Sequence, residues 1–132
     1  MLIRPYTDAD LSALRRMHAA QGFNYAFPEL SHPLFLSKIV VEDDAGHAVM
    51  ASLARLTCEI YLLMDPASGT PRDRFTRIAA LQRAGESDLR ARGLEDAHAW
   101  LPPSIASRFG RRIERLGWQC DDHWTPYCRR FV

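Results

Sequence analysis

The sequence has no apolar run approaching the roughly 20 residues that a membrane-spanning helix needs. Residues 1–5 lead directly into a strand-like segment and lack the basic region and apolar block of a signal peptide. Only three cysteines occur, Cys58, Cys120 and Cys128, and an odd number without close pairing is typical of free thiols in a reducing compartment. From these absences we expect no membrane segment and a cytoplasmic location.

Repeats, low-complexity tracts and obvious linkers are also missing, so the 132 residues favour one domain spanning 1–132. The apolar share of 47% is enough for a core, and a net charge of only +1 makes a non-specific nucleic-acid binder unlikely. No tight metal-binding spacing connects His98, His123 and the cysteines, so we expect no zinc site.

The first predicted helix has a clear start and stop. Thr7 and Asp10 stand at the spacing of a capping box, with aspartate in place of the usual glutamate, and Gly22 ends the segment. Between them, one helical face carries the residues expected to pack inward, namely Leu11, Leu14, Met17 and His18. A helix over roughly residues 7–22 is therefore predicted.

A longer helix is predicted to begin at Thr70 as N-cap, with Pro71 at its first position and Asp73 at its third, and to end at Gly93. Its inward face is formed by Phe75, Ile78, Gln82, Gly85 and Leu89.

A third helix is predicted from an N-cap at Ser104 to Gly117. Its apolar residues are Ile105, Phe109, Ile113 and Leu116, and its basic stripe is Arg108, Arg111, Arg112 and Arg115. The stripe is consistent with a solvated face, a phosphate contact, a partner surface or a nucleic-acid contact.

Strand-like segments cover residues 2–6, 38–42, 47–56, 58–64 and 95–101, and two short ones follow around residue 119 and at 127–131. A turn at residues 43–46 joins the second and third strands into an antiparallel hairpin. The later strand–helix–strand crossover requires a parallel pair between the fourth and fifth strands. The expected fold class is therefore α/β (α+β), a mixed, mostly antiparallel sheet of six or seven strands with helices on both faces.

In addition to this order of elements, four short stretches resemble those of a known family. They are Ile3-Arg4-Pro5 with Thr7, Asp8 and Asp10; Val41-Glu42-Asp43-Asp44 with Gly46; Cys58-Glu59-Ile60-Tyr61 into Asp65-Pro66; and Arg115-Leu116-Gly117-Trp118. In order and approximate spacing they resemble the GCN5-related N-acetyltransferase (GNAT) family across essentially the whole chain. The resemblance implies a single GNAT-like domain, acetyl-CoA as co-substrate without a metal, and frequent homodimers.

In that family the cofactor's pantetheine arm lies between the fourth and fifth strands, and its pyrophosphate binds the start of the long helix, where free N–H groups and a partial positive charge favour anions. The resemblance implies that the thioester oxygen is polarised by the backbone near Leu63 or Met64. The other expected cofactor-binding residues are Gly69, Thr70, Arg72, Asp73, Arg74 and Ser104.

The pyrophosphate loop departs from the family pattern. The two small residues expected there align near Arg72 and Arg74, Pro71 removes one N–H donor, and Asp73 would occupy the anion site if it caps the helix. The two arginines could compensate, because a guanidinium binds phosphate through two hydrogen bonds. The family's general-acid tyrosine is replaced by Ile113, and Ser104 is the nearest polar substitute for its asparagine.

The predicted chemistry is direct attack by an amine. Glu59, on the fourth strand, is the candidate general base, with a surface glutamate as the alternative. Tyr127 is a candidate proton donor to the leaving thiolate, with a packed tyrosine as the alternative, and Cys128 or solvent could also supply the proton. The aromatic residues Phe23, Tyr25 and Phe27 are expected either to pack on the core or to form the substrate-binding wall over which the substrate enters.

The sequence thus predicts an acetyl-CoA-dependent N-acetyltransferase that modifies an amine of an unidentified small molecule or protein. The alternative is a GNAT-like binding or regulatory module without turnover, because fold does not determine function. A third reading is a nucleic-acid-associated module that uses the arginine stripe.

Overall fold

The computed structural model describes residues 1–122 and 124–131, and its backbone contacts group into two compact units. Unit 1 contains Met1–Cys58 and Gly93–Ala97, and unit 2 contains Glu59–Arg92 and His98–Val132. Both units are therefore built from two separate stretches of chain. The single domain over residues 1–132 stays a prediction.

The chain is a mixed α+β protein with three α-helices, a three-stranded antiparallel sheet and a small parallel strand pair. The elements are β1 (Leu2–Pro5), a 3₁₀ turn (Asp8–Asp10), α1 (Leu11–Gln21), β2 (Phe35–Glu42), β3 (Ala48–Arg55), β4 (Cys58–Glu59), α2 (Pro71–Ala91), β5 (Ala97–His98) and α3 (Pro103–Glu114). The three predicted helices and the first three predicted strands are all present.

The sheet of unit 1 has the order β1-β2-β3, with both neighbours antiparallel. The predicted turn between β2 and β3 forms because one carboxylate oxygen of Asp43 accepts the backbone N–H groups of Ala45 and His47, each at 2.9 Å. Gly46 adopts a φ of 82°, which glycine reaches without the steric cost of a side chain. The predicted hairpin is confirmed.

Apolar side chains from α1, the following loop and the central strand form the core of unit 1. Leu14, Leu30 and Val40 are buried together, and Leu11 and Met17 pack against them from α1. This is the helix face that the sequence predicts. Between Pro28 and β2 the chain forms turns without a helix, and the buried side chain of Leu30 anchors this loop to the core.

An ion-pair network closes the N-terminal part of unit 1. The Arg4 guanidinium holds both carboxylate oxygens of Asp10 at 2.8 Å and also reaches Glu42 at 2.7 Å. The Thr7 backbone N–H donates to the same Asp10 carboxylate at 2.9 Å, as the predicted capping box requires. Asp10 is buried, and the hydrogen bonds from Arg4, followed by that from Thr7, hold the pKa of its carboxyl group well below the usual range.

Within unit 1, a second network joins the segment Gly93–Ala97 to the segment Met1–Cys58. The Arg55 guanidinium contacts Asp96 at 2.8 Å and Glu95 at 2.9 Å, and His32 contacts the other carboxylate oxygen of Glu95 at 2.7 Å. The hydrogen bonds that Arg55 donates to Asp96, the largest cause, and to Glu95 raise the pKa of Arg55. These side chains fix the segment by charge and hydrogen bonding.

The fourth and fifth strands are much shorter than the sequence predicts. Residues 58–64 form a strand only at Cys58–Glu59, and residues 95–101 form one only at Ala97–His98. A strand needs a hydrogen-bonded neighbour, so each strand ends where its partner ends. Residues 119 and 127–131 form no strand either, so the described residues contain five strands.

The start of α3 also differs from the prediction. Its N-cap is Pro102, whose carbonyl accepts the N–H groups of Ile105 and Ala106 at 2.9 Å each, and Pro103 takes the first helical position. Proline suits that position because its φ is already helical and its missing N–H would be unpaired there anyway. Ser104 therefore lies inside the first turn and does not cap the helix.

Helix α2 begins at Pro71 with Thr70 as N-cap, as predicted. Its predicted inward face, containing Phe75, Ile78, Gln82, Gly85 and Leu89, is the half-buried one. The Gln82 amide donates to the Leu116 carbonyl at 2.8 Å and accepts from the Trp118 indole at 3.0 Å, which ties α2 to the end of α3. Among the described residues of unit 2, no side chain is fully buried.

No helix in the described part of the chain is long and apolar enough to cross a membrane.

Candidate functional site

Side chains of the chain itself cap the backbone N–H groups at the start of α2. The Thr70 backbone N–H donates to the Asp73 carboxylate at 2.9 Å, and the Asp73 N–H donates to the Thr70 hydroxyl at 3.2 Å. The Thr70 hydroxyl also donates to that carboxylate at 2.7 Å. This is a full capping box, and it places a negative charge at the helix end where the resemblance expects a pyrophosphate.

Two arginines fold back over the same helix end. The guanidinium of Arg74 donates to the Gly69 carbonyl at 2.6 Å, and that of Arg77 donates to the Ser68 hydroxyl at 3.0 Å. Gly69 has a φ of 75°, and a Cβ atom there would lie 3.3 Å from the Arg77 guanidinium. The positive φ favours glycine at this position, and a Cβ atom there would also lie 3.2 Å from the Cβ atom of Asp73.

The Asp73 carboxylate is held ionised by these neighbours. Hydrogen bonds from the Thr70 backbone and hydroxyl are the largest causes that lower the pKa of Asp73, and the charges of Arg77 and Arg74 act in the same direction. At neutral pH the helix end thus carries one fixed carboxylate and two fixed guanidinium groups. This arrangement determines which anion could bind there.

A cleft of about 210 Å³ lies beside this helix end, within unit 2. Most of its lining is apolar, and two guanidinium groups, a hydroxyl and a carboxylate complete it; the residues are Leu62, Leu63, Met64, Asp65, Ser68, Arg74, Arg77, Ile78 and Leu81. The volume is below the roughly 300–1,000 Å³ of sites for drug-sized ligands, so the cleft suits a small group or one part of a longer molecule.

The structure brings three of the predicted cofactor residues, Leu63, Met64 and Arg74, into the cleft lining. Gly69, Thr70 and Asp73 form the capped turn next to it. The other two predicted residues do not contribute to this lining. Arg72 is exposed and its carbonyl accepts a hydrogen bond from the Thr76 hydroxyl at 3.1 Å, while Ser104 is exposed in the first turn of α3.

The candidate base Glu59 is exposed at the end of β4, and its carboxylate forms a hydrogen bond with the phenol of Tyr61. This hydrogen bond, together with the negative charge of Glu59, raises the pKa of Tyr61. The sequence analysis missed Tyr61. Alternation along an extended segment places residues i and i+2 on one side, so the spacing from Glu59 to Tyr61 could have shown the pair.

Tyr127 lies in a segment, residues 124–131, that contains neither helix nor strand. Its side chain is 94% exposed, so the alternative of a packed tyrosine is wrong. It does not belong to the lining of the cleft. Its assignment as a proton donor stays a prediction.

The predicted aromatic residues form a cluster in unit 1. Their rings surround His18, with ring centroids 5.8 Å away for Phe23, 4.9 Å for Tyr25 and 5.6 Å for Phe27. Phe23 and Tyr25 stack at 5.1 Å, and the Arg15 guanidinium lies 5.9 Å from the Phe27 ring centre. The loop therefore packs onto α1 while the rings of Phe23 and Tyr25 stay about half exposed.

The cluster also encloses a polar atom of His18. The Nε2 atom of His18 is buried and has no hydrogen-bond partner among the described residues. Tyr25 and Phe27 meet the imidazole edge-on, an arrangement in which an N–H group can point at a ring face. His18 is thus a packed residue of the helix face.

Removing the cap at the start of α2 gives a direct measure of its strength. We expect Thr70→Ala to lower the free energy of unfolding by about 1 kcal/mol, because the hydroxyl that accepts from the Asp73 N–H is lost. Urea denaturation followed by circular dichroism measures the change. The matched control is Thr76→Ala, which lies inside the same helix and should be neutral or slightly stabilising because alanine has the higher helix propensity. Equal losses in both variants would contradict the capping role.

In the described residues, no group of three or more histidine, cysteine, aspartate or glutamate side chains could hold a metal ion, and His123, for which no zinc site is expected, lies outside those residues. The cleft beside α2, with its two guanidinium groups and its apolar wall, is therefore the candidate functional site. No family model, no curated protein and no solved structure matches this chain.

Proposed function

We propose that the chain is an acetyl-CoA-dependent N-acetyltransferase that modifies an amine of a small molecule or protein. The proposal includes a GNAT-like fold, a cytoplasmic location and acetyl-CoA as the co-substrate, without a metal. The observation that carries it is the cleft beside the start of α2, which Leu63, Met64 and Arg74 line together. An apolar wall next to a cationic helix end matches a ligand that has both an apolar arm and an anionic group.

The ends of β4 and β5 support a place for the pantetheine arm. Their pairing reaches the bond from the Ile60 N–H to the His98 carbonyl at 2.8 Å, and residues 61–64 belong to no strand. Backbone groups outside a ladder are available to another partner. Amide groups of a pantetheine arm could pair with them, and the N–H groups near Leu63 and Met64 could polarise the thioester oxygen.

The anionic part of the ligand would meet a mixed set of charges. Asp73 repels a phosphate at the helix end, whereas Arg74 and Arg77 attract it, and each guanidinium can form two hydrogen bonds with a phosphate. Asp65 also lines the cleft, so two guanidinium groups stand against two carboxylates, and the paired hydrogen bonds of each guanidinium favour the phosphate. The proposal therefore places the phosphate on the arginines and leaves the capping box intact.

The acyl transfer follows from direct attack. The amine nitrogen attacks the thioester carbon, the new C–N bond forms, the C–S bond breaks, and Glu59 takes the ammonium proton directly or through water. The departing thiolate takes a proton from Tyr127 or solvent.

Cofactor binding is the first test. Acetyl-CoA at about 100 times its dissociation constant should add roughly 2.7 kcal/mol to the free energy of unfolding, because it binds only the folded state. For a chain of this size we expect a rise of several degrees in melting temperature, measured by differential scanning fluorimetry. The absence of any shift at millimolar acetyl-CoA would refute the proposal.

Substitutions at the helix end should act in opposite directions. Arg77→Gln should weaken binding of CoA, because one guanidinium is removed, and Asp73→Asn should strengthen it, because the repelling charge is lost while a capping group remains. Isothermal titration measures both. Arg83→Gln is the matched control, since its exposed side chain lies outside the cleft lining and should leave the affinity unchanged. Changes of the same sign in the two test variants would contradict the charge arrangement.

The base is tested separately by Glu59→Gln. If Glu59 accepts the proton, the variant should lose about 10²- to 10⁴-fold in turnover and keep its affinity for acetyl-CoA. Unchanged turnover across the pH range would refute this assignment. Tyr61→Phe is the comparison variant, because it removes the hydrogen bond and keeps the carboxylate.

A second candidate is a binding or regulatory module without turnover. It is favoured by the Asp73 carboxylate at the helix end and by Ile113, an aliphatic residue, at the position of the family's general-acid tyrosine. Binding of acetyl-CoA without acetylation of any amine in a panel of small amines and peptides would support this candidate over the enzyme.

A further inference from the structure

The small net charge of the chain hides an uneven distribution between the two units. Unit 2 contains 12 arginines, no lysine and 8 acidic residues, so its formal charge is +4, whereas that of unit 1 is −3. The low overall charge argues against nucleic acid as a partner only if the charges are mixed. Because they are segregated, the surface of unit 2 has to be considered by itself.

Helix α3 concentrates this charge on one side. At 100° per residue, three arginines of α3 and its C-cap Arg115 fall within a sector of about 100° and extend over about 10 Å; they are Arg108, Arg111, Arg112 and Arg115. All four are exposed, and none takes part in an ion pair within residues 1–122 and 124–131. We refer to this sector as the arginine face.

The sector of α3 next to the arginine face is apolar and packs within unit 2. Phe109 and Ile113 are half-buried, and the bond from the Gln82 amide to the Leu116 carbonyl holds the end of the segment to α2. The apolar side of α3 is thus occupied within unit 2, and the arginine face is available to an external partner.

The C-terminal segment of unit 2 adds two exposed aromatic rings on either side of two positive charges. Tyr127 and Phe131 are 94% and 93% exposed, and Arg129 and Arg130 stand between them. Exposed aromatic rings next to cations are the two components from which single-strand binding surfaces are built, because bases stack on the rings and phosphates pair with the cations.

We propose that unit 2 binds single-stranded nucleic acid, with phosphates on the arginine face and bases stacked on Tyr127 and Phe131. Arginine matches phosphate geometry through paired hydrogen bonds, and its flat guanidinium also stacks on bases. An acidic protein would not use the exposed rings in this way. A lipid surface would need the apolar side of α3, which is half-buried. This inference does not depend on acetyl-CoA binding.

The test is fluorescence anisotropy with a labelled oligouridylate of about 12 nucleotides, using the full chain. Contact of four arginines with a single strand predicts a slope of about −2.8 in a plot of log affinity against log salt. That slope corresponds to a loss of about 50-fold in affinity between 50 and 200 mM salt.

Two double variants separate the contributions. Arg111→Gln with Arg115→Gln should weaken binding and reduce the slope by about 1.4. The matched control removes the same two charges from exposed positions of α1 in unit 1, by Arg15→Gln with Arg16→Gln, and should leave binding unchanged. Tyr127→Ala with Phe131→Ala should weaken binding about tenfold or more without changing the slope, because stacking is lost and the charges stay.

Several outcomes would overturn the proposal. No binding at 50 mM salt would do so, and so would equal losses in the two arginine double variants, since only net charge would then matter. Binding of polyglutamate with the same affinity and slope would indicate a general polyanion surface. Binding of phosphatidylserine vesicles that survives Tyr127→Ala with Phe131→Ala, in the absence of oligouridylate binding, would indicate a lipid surface in its place.

Discussion

Leu14→Ala is expected to lower the free energy of unfolding by about 3 kcal/mol. Leu14 is 4% exposed and packs against Leu30 and Val40, so it joins α1 to the central strand β2. Truncation removes apolar surface from the core and leaves a cavity that the neighbouring side chains fill only in part. The effect is large because this small cluster is the buried apolar core of unit 1.

The measurement is urea denaturation of the wild type and the variant under the same conditions. Leu36→Ala is the matched control, because it is the same substitution in the same unit at a residue that is 67% exposed. The control should change stability by less than about 0.5 kcal/mol. A loss in the control as large as that in Leu14→Ala would mean that the cluster is not the stabilising core.

Asp10→Asn should cost about 2 to 3 kcal/mol at neutral pH. The substitution keeps the shape of the side chain and removes the charge that Arg4 holds with two bonds of 2.8 Å. It leaves a partly buried guanidinium with Glu42 as its remaining acidic partner. Removing one member of a buried pair costs more than the pair itself contributes, because the other charge stays desolvated.

The loss should depend on pH. Because Arg4 and Thr7 lower the pKa of folded Asp10, its contribution is complete above the unfolded pKa, which lies near 3.9, and is lost as the pH falls through the lower folded value. The wild-type and variant stabilities should therefore differ fully at pH 7 and converge in acid. Asp44→Asn, at an exposed partner of the N-terminal amine, should show no measurable change. A difference that stays constant down to pH 2 would contradict the linkage.

Helix starts and the first hairpin could be predicted because their signals are local. Thr70, Pro71 and Asp73 specify the start of α2 within four residues, and they form the hydrogen bonds that this pattern predicts. Asp43 and Gly46 specify the turn between β2 and β3 in the same way. In each case the partners of the backbone groups lie within four positions in sequence, so the pattern alone contains the information.

Strand lengths and the C-terminal strands could not be predicted, because they depend on distant partners. The segment that follows β4 has the composition of a strand, yet its partner β5 is only two residues long. Just before β5, Glu95 and Asp96 are bound by Arg55 from the end of β3. A choice of partner that depends on residues 40 positions apart leaves no trace in the local pattern.

The candidate site was predictable in part. Leu63, Met64 and Arg74 were identified from the resemblance, and they do line one cleft. Arg77 was missed, although it lies one helical turn after Arg74 and four positions after Asp73, a spacing that places side chains on the same side of a helix. The helical spacing therefore indicated that Arg77 lies beside Arg74 and Asp73, whereas the pyrophosphate-loop motif does not extend to Arg77.

The ion pairs between Arg55 and the segment Gly93–Ala97 also set an order of events during synthesis. The acidic partners of Arg55 are added to the chain 40 and 41 residues after it. At about 5 to 20 residues per second, a ribosome needs roughly 2 to 8 s for that stretch. During this interval the strands of the unit 1 sheet have already been synthesised, but Glu95 and Asp96 have not, so Arg55 lacks its acidic partners. Unit 1 is therefore completed only after the whole of α2 has been translated. An arrest in translation within α2 would leave the sheet without these ion pairs.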